Sequence, residues 1–200
     1  MISDKTIFAF FGIAIGLYFL LTMLIVPPLH LEYGVSNMTR NMASTFFPNK
    51  DIEWVDNFAN KGNGADINVK VITEAKNPQT GQKQRFQGVG KLTSRTKVLV
   101  PILVLISLLT ASFITLPMTW RNRIIVVALA ALVFFLYMIF LFRMTINYVE
   151  KVTQGVDITT IPFGQVFNTN IGFMTIIPTM MWALVTAWAV DWKKVLVQKA

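Results

Sequence analysis

IFAFFGIAIGLYFLLTMLIV, residues 7–26, contains no Asp, Glu, Lys, Arg or His. Neither do VLVPILVLISLLTASFITLPM at 98–118, IIVVALAALVFFLYMIFLF at 124–142 or IGFMTIIPTMMWALVTAWAV at 171–190. Each run is about 20 residues, enough at ~1.5 Å per residue to cross a hydrocarbon core of ~30 Å. Lipid offers the backbone no hydrogen bonds, so a crossing segment must satisfy its own and be helical. The four runs predict a membrane all-α fold: four transmembrane helices, with a small extracytoplasmic α+β segment carrying a β-hairpin between the first and second. The chain then divides into a signal-anchor helix at 1–26, an extracytoplasmic segment at 27–97, a transmembrane helical hairpin at 98–142, an extracytoplasmic loop at 143–170, and a fourth helix with its tail at 171–200.

The charge distribution agrees. Of 200 residues 54% are hydrophobic and 14% charged, and the charges collect between the runs rather than over a soluble surface. The net charge of +8 suits lysines and arginines placed beside lipid headgroups, so the expected partner of this charge is the bilayer and not nucleic acid. The absence of cysteine excludes thiol catalysis, disulfides and thiolate metal sites. Lys5 followed by a long apolar run, with no small-x-small cleavage site behind it, reads as an uncleaved signal anchor.

Orientation follows from the basic residues. Arg121 and Arg123 lie between the second and third runs, and Lys193, Lys194 and Lys199 in the tail. In a four-span chain these share one side with Lys5, so the positive-inside rule places both termini in the cytoplasm of a bacterial inner membrane. Lys91, Arg95 and Lys97 oppose this, but they belong to a segment of about 70 residues, and long segments cross largely regardless of charge. Trp120, Trp188 and Trp192 sit where amphipathic rings meet headgroups.

Within 27–97, Leu29, Tyr33, Met38, Met42 and Phe46 recur at roughly helical spacing. This segment either lies along the headgroups or extends the first helix past Pro27-Pro28; the sequence leaves both open. Ile67, Val69 and Val71 alternate with polar residues, and Asn77-Pro78-Gln79-Thr80-Gly81 supplies turn chemistry before a second strand from Lys83 to Leu92. Gly88 and Gly90 weaken that strand. Two strands are marginal in water, so Ile52 to Val55 or a partner chain is expected to complete the sheet.

Candidate chemistry is sparse. His30, the one histidine, stands two residues from Glu32; together they offer a metal or proton site at the membrane surface, or simply interfacial polarity. Met174, Met180 and Met181, with Met138 and Met144, are possible soft ligands for copper, though methionine also fills irregular apolar gaps. No ionisable residue lies inside the four runs, which argues against pumps and ion-coupled transporters. Gly12 and Gly16 form a GxxxG element that lets another helix approach closely. Ser107, Thr110, Ser112, Thr115, Thr175, Thr179 and Thr186 bond between helices or to their own carbonyls. Pro178 is expected to bend the fourth span.

An N-terminal span running into prolines, a strand-bearing outer segment, the proline-opened span Val98-Leu99-Val100-Pro101-Ile102, the Trp120-Arg121-Asn122-Arg123 turn and Ile177-Pro178-Thr179-Met180-Met181-Trp182 in the last span together form a pattern. It resembles the exosortase H-associated membrane proteins of bacteria. That resemblance implies an accessory to a membrane-embedded sorting protease, with no catalytic residues to carry over. Two functions are therefore weighed. One is a non-catalytic subunit, without cofactor, that binds other integral membrane proteins through Gly12 and Gly16 and through the basic hairpin residues Lys70, Lys83 and Arg85. The other is a small metal-handling protein or enzyme using His30, Glu32 and methionines.

Overall fold

The computed structural model describes residues 4–48, 51–56, 67–76, 83–154 and 176–191. The protein is mostly helical, with one small antiparallel sheet. In chain order, α1 is Asp4–Leu20, extended by a π-helical turn at Leu21–Ile25. The helix α2 is Leu31–Phe46, and the strands are β1 Ile52–Asp56, β2 Ile67–Lys76 and β3 Lys83–Leu92. A π-helical turn at Arg95–Leu99 opens α3, Val100–Thr115. Then come α4, Trp120–Thr153, and α5, Ile177–Thr186. The turn at 77–81, the glycine-rich link at 60–64, the apolar loop at 155–164, Met174 and the tail from Trp192 lie outside the described residues.

Three helical stretches are long and apolar enough to cross a membrane: Lys5–Ile25, Arg95–Thr115 and Trp120–Thr153. The fourth run fares differently. Its described helix, α5, has 10 residues, too few alone for a ~30 Å core. Pro178 falls in the first turn of this described helix; the bend expected there involves residues 171–175, which lie outside the described residues. At the other end the chain turns back, with the Ala189 N–H donating to the Thr186 oxygen at 3.0 Å.

A correction concerns 143–170. The loop expected from Arg143 begins later, because α4 continues as helix to Thr153. The reason is a buried stripe of Leu141, Phe142, Thr145, Ile146 and Val149, whose three- and four-residue steps hold one helical face against a core despite Arg143, Glu150 and Lys151.

The chain divides into two compact units. The first comprises Met1–Leu31, Val100–Leu136 and Ile171–Ala200. There α1 packs on α3 through Phe10, Ala14 and Ala111, flanked by Ile13, Leu108 and Trp182. The Phe10 and Trp182 rings stand 5.3 Å apart, and the Trp182 indole N–H donates to Ser112 Oγ at 2.7 Å. The other small hydroxyls turn inward on their own helices: Ser107 to the Leu103 oxygen, Thr115 to Ala111, Thr186 to Trp182. Asn122 Nδ2 donates to the Ala189 oxygen at 3.0 Å and the Asp191 N–H to the Pro117 oxygen at 3.2 Å, which fastens the end of α5 to the turn between α3 and α4.

The second unit comprises Glu32–Leu99 and Tyr137–Asn170. Its sheet has strand order β1-β2-β3. Trp54 pairs with Val69, which pairs with Gly90; Val71 pairs with Gly88, and Ile67 with Leu92. The pleat sends all of these to one face. Trp54, Ile67, Val69, Val71 and Leu92 are buried, as are Phe142, Ile146 and Val149 of α4. The Trp54 and Phe142 rings meet edge-on at 5.5 Å. Gly88 and Gly90 do not weaken β3. A Cβ at Gly90 would overlap Val149 Cγ2, and one at Gly88 would overlap Thr153 Oγ1. The glycines are the slot in which α4 lies.

Candidate functional site

The face of the sheet turned away from α4 gathers the residues with most to offer another molecule. Register alone brings them together. Glu53 is opposite Lys70, Lys70 opposite Val89, Ile72 opposite Gln87, and Glu74 opposite Arg85. Two ion pairs result: Lys70 Nζ to Glu53 Oε2 at 3.2 Å, and Arg85 Nε to Glu74 Oε1 at 3.4 Å. Both are largely exposed, so each is worth well under ~1 kcal/mol to the fold. Between them, on the diagonal, lie Val89 (57% exposed) and Ile72 (39% exposed). Two aliphatic side chains framed by fixed charges of both signs form a surface with apolar area at its centre and polar groups at its rim.

Lys70 and Arg85 therefore share this face, but each already has a carboxylate beside it. Lys83 is opposite Lys76 in the register; its side chain lies outside the described set. Sequence reasoning missed the acidic half of the surface, because cross-strand partners become visible only once the register is known.

Gly12 and Gly16 lie on the exposed side of α1, and a Cβ on either meets nothing within 4 Å. Among the described residues, the contact of α1 within its unit runs through Phe10 and Ala14. His30 has φ of +47°, a left-handed conformation in which histidine is commoner than most residues. It ends the turn after Pro27-Pro28, its N–H donating to the Pro27 oxygen at 3.2 Å. Glu32 pairs with Arg95, Oε1 to Nε at 3.3 Å. Met181 is buried and Met180 is 66% exposed, so these chain neighbours face opposite ways. Among the described residues no three His, Cys, Asp or Glu side chains stand together.

One buried polar contact lies apart from all of these. The Tyr137 hydroxyl donates to the Lys97 oxygen at 2.6 Å, inside the π-helical turn that precedes Pro101.

No family model, curated protein or solved structure matches this chain. Its class is set by its own architecture: three helices suited to a membrane, joined to a small antiparallel sheet domain.

Proposed function

We propose that this protein is a non-catalytic accessory or structural subunit of a larger assembly of bacterial membrane proteins. The observation that carries the reading is the open sheet face, where Val89 and Ile72 lie exposed between the Lys70–Glu53 and Arg85–Glu74 pairs. Gly12 and Gly16 add a second place for a partner: a Cβ on either meets nothing within 4 Å among the described residues. The narrower assignment to an exosortase-type sorting system rests on the sequence resemblance alone.

The test must separate binding from folding. Lys70→Glu alone would set two carboxylates directly opposite each other and weaken the sheet itself. Exchanging both pairs, Glu53→Lys with Lys70→Glu and Glu74→Arg with Arg85→Glu, keeps each attraction and reverses the surface pattern. The fourfold variant should fold and insert normally yet recover at least tenfold less partner on purification in mild detergent. Undiminished recovery would sink the sheet-face reading.

In this proposal four helices cross the inner membrane, both termini are cytoplasmic, and the sheet domain is outside. The native chain is cysteine-free, so single cysteines report directly. Lys91→Cys should react with an impermeant thiol reagent in intact cells, and Arg121→Cys only after the membrane is opened. The opposite pattern would invert the topology.

A further inference from the structure

The helix α2 buries one face and carries its apolar residues on another. Within its unit the buried positions are Ser36, Thr39 and Ala43, all small, and the Thr39 hydroxyl is spent on the Val35 oxygen at 2.6 Å. The long apolar side chains are Leu31, Val35, Met38, Met42 and Phe46, at steps of four, three, four and four. That spacing is one continuous stripe. At ~100° per residue its centre lies roughly 90° around the helix from the buried face. The stripe is incompletely covered: Met38 is 45% and Phe46 42% exposed, and Leu31, Val35 and Met42 are half-buried. On the far side from the stripe stand Asn37, Asn41 and Ser44, with the Arg40 guanidinium held to Asn37 Oδ1 at 2.8 Å.

We propose that this stripe of α2 is a membrane-surface helix, seated in the headgroup–acyl boundary of the bilayer that α1 crosses. The occupant is argued from continuity. The apolar stretch Lys5–Ile25 ends six residues before Leu31. Six residues reach at most ~20 Å even when fully extended, and here they are shortened by a turn closed from Leu31 N–H to the Val26 oxygen at 3.3 Å. The first turn of α2 is thus tethered to the level at which α1 leaves the hydrocarbon. Exposed Leu29 (64%) adds apolar surface at the joint, while Tyr33 stands on the far side of α2 with Asn37 and Ser44. Glu32 and Arg40 are the charges of α2 and cancel, so apolar burial rather than attraction to anionic lipid drives the seating.

The experiment uses the full chain reconstituted in vesicles of zwitterionic lipid. Met38→Cys and Ser44→Cys, about 120° apart on the helix, each carry an environment-sensitive fluorophore; Phe11→Cys in α1 serves as the lipid-exposed control. The Met38 probe should be quenched by lipid-attached quencher to at least half the extent seen at residue 11, and resist aqueous iodide. The Ser44 probe should show the reverse. Equal iodide quenching at both positions would overturn the proposal. So would a Met38 probe shielded from both quenchers, which would mean that protein, a second copy of this chain, covers the stripe. Raising salt should change neither result; loss of lipid quenching at high salt would replace the apolar mechanism by an electrostatic one. None of these outcomes depends on the accessory-subunit reading.

Discussion

A Gly90→Val chain should lose about 2–3 kcal/mol of stability in its sheet domain, near the upper end of what overpacking costs. The cause is local. The added Cβ lands on Val149 Cγ2, and β-branched valine on a helix has essentially one χ1 rotamer and cannot swing aside. Val149 is itself buried, 3% exposed, so it cannot move out into solvent. Gly90→Val combined with Val149→Ala should recover most of the loss, which identifies the helix-on-strand contact as the source. Val89→Thr, one residue away on the open face, should change stability by less than ~0.5 kcal/mol. Hydrogen exchange of the β2 and β3 amides in detergent is the readout. Equal protection in the wild type and Gly90→Val would show that α4 does not lie in the glycine slot.

Tyr137→Phe should cost about 1–3 kcal/mol, the penalty for leaving a buried acceptor without its donor. Tyr137 is 6% exposed, and its hydroxyl serves the Lys97 oxygen in the π-helical turn. Unfolding midpoints of the two chains measure the loss, and equal midpoints would rule out a structural role for this bond.

Much of this architecture is readable from residue pattern. The runs at 7–26, 98–118 and 124–142 correspond to Lys5–Ile25, Arg95–Thr115 and Trp120–Thr153, because an uncharged stretch of this length has few other uses. The alternation of Ile67, Val69 and Val71 gives both β2 and its buried face, and β1 over Ile52–Asp56 is the third strand that a marginal hairpin requires. The end of α4 was hidden by charge. Arg143, Glu150 and Lys151 look like a loop, while the helical stripe from Leu141 to Val149 continues beneath them. Gly88 and Gly90 read as defects because a close approach between distant segments leaves no mark on the neighbouring sequence. The outer sheet face was half visible for a similar reason: lysine and arginine announce themselves, but their glutamate partners on adjacent strands are set by register. In α2 the period from Met38 to Phe46 is legible, but the sequence pattern takes its first turns through Leu29 and Tyr33 where the stripe runs through Leu31 and Val35, and the burial of the small face depends on what the helix packs against.

The prolines of the apolar helices bear on the order of assembly. Pro27 and Pro28 follow the π turn of α1, Pro101 follows that of α3, Pro117 lies just beyond α3, and Pro178 stands in the first turn of α5. Each withholds a backbone donor, a deficit worth several kcal/mol in hydrocarbon. Pro27, Pro28, Pro101 and Pro117 lie toward the ends of apolar stretches, where water and headgroups can answer such deficits, whereas Pro178 lies inside its run. In the membrane arrangement proposed above, the helices with terminal prolines can therefore insert before their neighbours arrive.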